Sequence, residues 1–310
     1  MFVTGATGTC GRFVVRELLS RGFEVVAHSR TPARIDNCIN APAELYAIAT
    51  VYRHLRECDG IVHLASTRLK RRNPVITSDI LGTGALLDLW PRGQFVYASS
   101  QMVYGLSDEP KTERTPVDPT SSWYDMGKYV CEFQLSQACD QNGRGAGIAL
   151  RVPVVLSSSR GRGQTLDMLY RDVMRGATFV FDSEETLEKA GSDYVSGPDL
   201  GKAYASALAI SSSGPYNVAT GYFTWKALLD GLVTATGAKA RYMIRSDGKL
   251  GPLEARLPQW QSRLDTSRFK QIVHTEPGET VEQIVTEYAE RVKSPHALPE
   301  SDESQPELGT

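Results

Sequence analysis

Thr4-Gly5-Ala6-Thr7-Gly8-Thr9-Cys10-Gly11 follows a short apolar run, Met1-Phe2-Val3, and leads into a segment with apolar residues at Phe13, Val14, Leu18 and Leu19 that stops at Gly22. A strand, a glycine-spaced turn and a helix are therefore expected in that order. Glycines at 5, 8 and 11 give a tight turn, close backbone approach to a pyrophosphate, and a helix N-terminus whose free N–H groups face the anion. A glycine triplet elsewhere would be a flexible loop. Between a first strand and a first helix it predicts dinucleotide binding by Gly5, Thr7, Gly8, Thr9, Cys10 and Gly11. Strand-like and helix-like segments then alternate along the chain, which predicts an α/β fold with a doubly wound parallel sheet.

The next strand, Phe23-Glu24-Val25-Val26-Ala27-His28-Ser29-Arg30, should end beside the adenosine ribose. An acid there would bind both ribose hydroxyls and repel a 2′-phosphate. Ser29 and Arg30 stand there instead, with Arg34 a turn later, and a hydroxyl with guanidinium groups suits a 2′-phosphate. NADP(H) is favoured, with NAD(H) as the alternative. A helix is expected over 43–57, then the buried strand Asp59–Ser66, whose small end at Leu64, Ala65 and Ser66 leaves room for a cofactor backbone. His63 inside that strand is read as structural. Arg68-Leu69-Lys70-Arg71-Arg72 reads as a solvated loop or a contact for a phosphate-bearing substrate. A helix is expected over 74–90, then the strand Gln94–Ala98 and the turn Ser99-Ser100-Gln101-Met102-Val103-Tyr104-Gly105. A further strand, Gly147–Leu156, precedes a loop carrying Arg160 and Arg162. The alternation breaks after Gly163. The expected domains are 1–162 for the cofactor, with 192–220 returning to it, 163–293 as a substrate lobe, and an acidic, disordered tail over 294–310.

Tyr124 and Lys128 lie four apart in Ser121-Ser122-Trp123-Tyr124-Asp125-Met126-Gly127-Lys128, with Ser121 or Ser122 as the cap of a helix. That spacing places both on one helix face. An ammonium beside a phenol favours the phenolate, so a tyrosine so placed can exchange a proton with an oxygen on carbon at neutral pH. The spacing alone is weak: Tyr222 and Lys226 repeat it. There, Thr224 reads as the cap of the following helix and leaves Tyr222 outside.

A net charge of −2 and a pI near 6.2 give no pull toward nucleic acid or anionic membrane. No apolar run is long enough to cross a bilayer, and the chain enters a strand at once, with no signal peptide ahead of it. Five scattered cysteines without a Cys-x-x-Cys suggest reduced thiols in the cytoplasm and no metal site.

Thr4-Gly5-x-x-Gly8-x-x-Gly11, Asp59-x-x-x-His63-Leu64-Ala65, Ser99-Ser100-x-x-Val103-Tyr104-Gly105, Tyr124-x-x-x-Lys128 and Arg151 occur in one order and spacing. Taken together, the chain resembles the extended short-chain dehydrogenase/reductases, above all their epimerase/dehydratase branch acting on nucleotide sugars. Asp193-Tyr194-Val195 and Tyr216-Asn217-Val218 look like that branch's later landmarks. The resemblance implies a Rossmann-type sheet with a smaller C-terminal α/β substrate lobe. It implies Ser100, Tyr124 and Lys128 as the catalytic set. Ala98, Tyr124, Lys128 and Arg151 would join the cofactor contacts, and Gln101, Met102, Arg160 and Arg162 would face the substrate. A homodimer through paired helices is also implied.

Two departures matter. Where family dehydratases carry an Asp-Glu pair after the catalytic hydroxyl, Gln101 and Met102 stand, and neither is an acid or base. Sugar dehydration is therefore not expected. Val154 replaces an asparagine common in sugar-nucleotide members, and Asp79 another. The leading expectation is an NADP(H)-dependent ketone reductase acting on a nucleotide-activated modified sugar. The alternatives are an NAD(P)-dependent sugar-nucleotide epimerase, a carbonyl reductase on a non-sugar metabolite, and, in another class, a non-enzymatic NADP-binding sensor.

Overall fold

Runs of apolar residues buried on both faces form parallel strands only where helices cover the two sides of a sheet. The computed structural model describes residues 1–32, 35–67, 71–140, 144–159, 164–273 and 278–293. Its strands begin with β1 (Phe2–Thr4), β2 (Val25–Ser29), β3 (Cys38–Pro42), β4 (Gly60–His63), β5 (Gln94–Ser100) and β6 (Gly147–Val152). There follow β7 (Val154–Leu156), β8 (Thr178–Phe181), β9 (Gly191–Ser196), β10 (Gly214–Asn217), β11 (Gly221–Thr224), β12 (Arg241–Ile244), β13 (Glu254–Arg256) and β14 (Gln261–Ser262).

Seven strands form one parallel sheet in the order β3-β2-β1-β4-β5-β6-β10. The order reverses between β1 and β4, and the crevice beyond the carboxyl ends of such a pair is where open α/β sheets bind ligands. One face is covered by helices Thr9–Ser20 and Gly197–Ala207, which pack together over Val3, Val14, Leu18, Val62 and Leu150. Helices Leu81–Asp88 and Trp123–Asp140 cover the other, over Phe2, Leu86, Trp90, Phe95 and Leu135. A third core fills the lobe, where β12-β8-β13 and β11-β9-β14 with β7 pack on helices Thr165–Met174, Trp225–Thr236 and Val281–Lys293. Among the described residues no helix is long and apolar enough to cross a membrane.

The structure differs from the sequence reading at four places, the first being the strand expected over 147–156, which divides at Pro153 into β6 of the large sheet and β7, paired with β9. Over 43–57 it forms a 3₁₀ run, Leu45–Val51, then a single α turn, Tyr52–Leu55. Leu45, Ile48 and Val51 recur every three residues, the 3₁₀ period, so that all three reach the core. The expected helix over 74–90 starts at Arg72, ends at Asp88, and widens to a π-helix over Val75–Ile80, which holds the buried Asp79. Within 192–220, β9 belongs to the lobe sheet, whereas helix Gly197–Ala207 and β10 belong to the large one.

Asp193, on β9, accepts a 2.6 Å hydrogen bond from the Leu264 N–H. Burial raises its pKa to about 6, against the opposing pull of that N–H and of Arg263 and Lys270. An acid whose pKa is higher folded than unfolded favours the fold while protonated. That contribution is lost as pH rises from about 4 through 6. Asp193→Asn should therefore match the parent's stability near pH 4 and exceed it by on the order of 2 kcal/mol at pH 8. Urea denaturation at the two pH values measures this; an equal offset at both would refute it.

Candidate active site

The glycine turn has the geometry its spacing implies. Gly5 has φ of +67°, and a Cβ there would lie 2.8 Å from the Ala65 nitrogen, so the turn passes directly against the exit of β4. Gly8, in an extended conformation, precedes helix Thr9–Ser20, whose first turn has no side-chain cap. Those N–H groups remain available to an anion, which fits a dinucleotide's pyrophosphate. Thr4 Oγ1 accepts from the N–H groups of Leu64 and Ala65, each at 3.1 Å, and lies 2.6 Å from His63 Nδ1. With two donors already on that oxygen, its own proton goes to Nδ1. Nε2 then carries the ring proton and donates to Thr83 Oγ1 at 2.9 Å. Burial lowers the His63 pKa to about 3, which suits this neutral bridge between β1, β4 and the next helix.

Ser122 Oγ accepts from the Asp125 N–H at 3.2 Å and caps helix Trp123–Asp140. Tyr124, Lys128 and Glu132 then fall on successive turns of one face. Lys128 is buried; its Nζ donates to the Ala98 carbonyl at 2.6 Å and lies 5.6 Å from the Tyr124 ring centroid and 5.1 Å from that of Tyr97. Two residues after Ala98, β5 ends at Ser100, whose Oγ accepts from the Met102 N–H at 3.2 Å. That hydroxyl keeps its proton to donate. Cys10, in the glycine turn, feels the charge of Lys128, although burial raises its thiol pKa overall. The structure thus gathers the glycine turn, the end of β5 and the Tyr124–Lys128 face. A phenol, a buried ammonium and a hydroxyl donor at one strand end can hold and protonate an oxygen on carbon.

Other predicted residues are placed differently. Arg151, on β6 beside Ser99, pairs with Glu132: Nε donates to Oε1 at 3.0 Å and Nη2 to Oε2 at 2.7 Å, while Nη1 has no hydrogen-bond partner among the described residues. Its guanidinium also lies 4.6 Å from the Tyr104 ring centroid. Ser66 Oγ donates to Asp79 Oδ2 at 2.9 Å, and the Thr67 N–H to Oδ1 at 2.6 Å. Ser29 is buried and donates to the Thr31 carbonyl, while Arg30 is exposed at the end of β2. Gln101 is buried and Met102 half-buried. Arg34, Arg160, Arg162, the 68–70 part of the cationic run and the 294–310 tail lie outside the described residues. Tyr222 stands in β11 and donates to the Lys189 carbonyl, and Thr224 caps the helix that carries Lys226.

Sequence reasoning missed Glu132 and its partner Ser99, which donates to Glu132 Oε1. The signal was present: Glu132 repeats the four-residue step from Tyr124 to Lys128.

The NAD dependent epimerase/dehydratase family model matches residues 1–219, and the chain belongs to that family. It is 25% identical over 297 residues to UDP-glucose 4-epimerase of Erwinia amylovora, across 81% of this chain and 87% of that one. It is 26% identical over 187 residues to sterol-4-alpha-carboxylate 3-dehydrogenase, decarboxylating, of Dictyostelium discoideum, across 54% of this chain and 56% of that one. In this and similar partial matches the chain spans about half the length of the curated relatives. Among solved structures, the UDP-glucose 4-epimerase of Thermus thermophilus in complex with NAD superposes with a TM-score of 0.77 at 22% identity, across 95% of this chain and 99% of that one. The fold is therefore shared over both lobes.

The buried Glu132–Arg151 pair gives a direct test. Glu132→Ala leaves a buried guanidinium uncompensated and should cost about 3–5 kcal/mol, read as a lower urea midpoint at unchanged m-value. A loss under about 1 kcal/mol would show that the pair does not anchor the helix.

Proposed function

We propose that the chain is a nicotinamide-dependent oxidoreductase acting at a secondary carbinol or ketone carbon of a nucleotide-activated sugar, in the manner of a 4-epimerase. The observation that carries this reading is the Tyr124–Lys128 face set against the end of β5 at Ala98 and Ser100. The match to the Erwinia amylovora UDP-glucose 4-epimerase across both lobes supports the substrate class. In this reading Tyr124 takes the proton of the carbinol and returns it. Ser100 donates to the same oxygen while it is a ketone, and Lys128 holds positive charge beside the Tyr124 ring. When bound, the nicotinamide supplies hydride acceptance and return.

A second reading, an NADPH-consuming ketone reductase, is favoured by Ser29 and Arg30 at the end of β2, where an acid would repel a 2′-phosphate. It asks the same of Ser100, Tyr124 and Lys128. Five free cysteines suit a reducing cytoplasm. Leu81 and Phe133, more than half exposed on adjacent helices, support a homodimer through that face.

Tyr124→Phe should lower kcat for UDP-glucose/UDP-galactose interconversion by roughly 10²–10⁴-fold with the fold intact; unchanged turnover would remove Tyr124 from the chemistry. Mass spectrometry of the denatured protein should release near-stoichiometric nicotinamide cofactor from an epimerase, whereas an empty protein would favour the reductase. Arg30→Ala should raise KM for NADPH more than for NADH, and equal changes would refute the 2′-phosphate contact.

A further inference from the structure

Asn217 is fully buried at the end of β10 and takes no part in the chemistry proposed for Ser100, Tyr124 and Lys128. Its Nδ2 donates to the carbonyls of Lys111 at 2.9 Å and Asp265 at 3.1 Å. Carbonyls only accept, so the amide is held one way round, with Oδ1 toward Tyr104. The Tyr104 hydroxyl donates to that oxygen at 2.7 Å, and the Asn217 backbone N–H donates to Glu113 Oε1 at 2.8 Å. Both amide protons and the amide oxygen are thus engaged.

The groups that this amide joins come from separate parts of the molecule. Tyr104 closes the 3₁₀ turn Gln101–Tyr104, which Ser100 caps. Lys111 lies in the loop that runs from that turn to the helix of Tyr124. Asp265 follows β14, a strand of the lobe sheet. Loop and lobe also pair directly: the Lys111 N–H donates to the Arg263 carbonyl at 2.9 Å, and the Asp265 N–H to the Lys111 carbonyl at 2.8 Å. At the start of the turn, Gln101 Nε2 donates to Ser192 Oγ on the lobe strand β9 at 3.0 Å. The turn that carries Ser100 is therefore tied to the lobe at its start, and through Asn217 to β10, loop and lobe at its end.

We propose that Asn217 is a positioning residue: by locking the turn to loop and lobe it sets the Ser100 hydroxyl against Tyr124. The assignment rests on the reading that Ser100 and Tyr124 act on one substrate oxygen, and deepens it. A hydroxyl donor is effective only while it is aimed at the place that oxygen takes in the transition state. A displacement of about 1 Å at a reacting group costs on the order of 10²-fold. Tyr104 carries the constraint. Its ring meets the Arg151 guanidinium, whose partner Glu132 stands on the helix of Tyr124. Ser100 and Tyr124 are thereby referred to one network from two sides.

The test measures UDP-glucose/UDP-galactose interconversion by the full-length parent, Tyr104→Phe, Asn217→Ser and Ser100→Ala, and by each of the first two variants combined with Ser100→Ala. Tyr104→Phe and Asn217→Ser should each lower kcat by about 10–10²-fold and leave KM within about twofold. Because both act through Ser100, each should cost less than about twofold once Ser100→Ala is present. A merely structural loss would multiply undiminished with that of Ser100→Ala, and that outcome overturns the assignment. Hydrogen exchange supplies a readout that needs no turnover. Asn217→Ser should speed exchange at the amides of residues 102–105 and leave those of helix Trp123–Asp140 as in the parent; unchanged exchange at the turn also overturns the assignment. If Asn217→Ser is not recovered folded, Tyr104→Phe, which lacks a single oxygen, carries both measurements. A parent that converts no UDP-hexose overturns the sugar-nucleotide reading, and the exchange measurement then decides alone whether Asn217 holds the turn.

Discussion

A carboxylate taken out of water must find donors for its oxygens, and Glu132 finds them on two neighbouring strands. Arg151 on β6 supplies a bidentate pair, and Ser99 on β5 adds its hydroxyl. Such a pair adds little net stability over an apolar substitute, but removing one half strands the other charge. Its effect is geometric. Helix Trp123–Asp140 cannot slide or rotate over the sheet without breaking three hydrogen bonds at once. Lys128 and Tyr124, one and two turns earlier on the same face, inherit that register. The bond from Lys128 to the Ala98 carbonyl depends on it.

The same network reaches outward. The Arg151 guanidinium lies over Tyr104, whose hydroxyl donates to Asn217 Oδ1 at 2.7 Å at the end of β10. Asn217 Nδ2 then donates to the carbonyls of Lys111 and Asp265. Buried polar side chains beside β5, β6 and β10 are thus linked into one network. On the other side of the switch point, Thr4, His63 and Thr83 do the same with a neutral ring. The site lies between two polar clusters that fix its walls.

Local spacing carried most of what could be read in advance. Glycines at 5, 8 and 11, the Tyr124–Lys128 step and Ser100 before Tyr104 each need only neighbouring residues to be recognised. What escaped depends on distant partners or on helix pitch. Leu45, Ile48 and Val51 fit a period of three, and the helix expected over 43–57 took no account of it. The π-helix over Val75–Ile80 turns Asp79 toward Ser66 and Thr67, a bond no sequence window contains. Arg151 carries a family landmark, but its guanidinium is claimed by a helix nineteen positions away. Gln101 looked like an absent acid; its bond to Ser192 spans 91 positions.

That bond also bears on which reactions the site can support. Elimination across two carbons of a sugar needs a second acid or base beside the hydride-exchanging carbon. After Ser100 the chain offers an amide and a thioether, and neither serves. Among the described residues four carboxyls are buried: Asp79 accepts from Ser66 and Thr67, Glu132 from Arg151 and Asp193 from Leu264, while Asp125 follows Tyr124 in its helix. Burial raises the pKa of Asp79, but a carboxyl already accepting two hydrogen bonds at the back of the Ser66 loop is poorly placed for substrate protons. Tyr124, beside the Lys128 ammonium that binds the end of β5, is the group to which the proposed reading gives the proton exchange. The proposed hydride exchange, with inversion or reduction, asks for no acid or base at the two positions after Ser100.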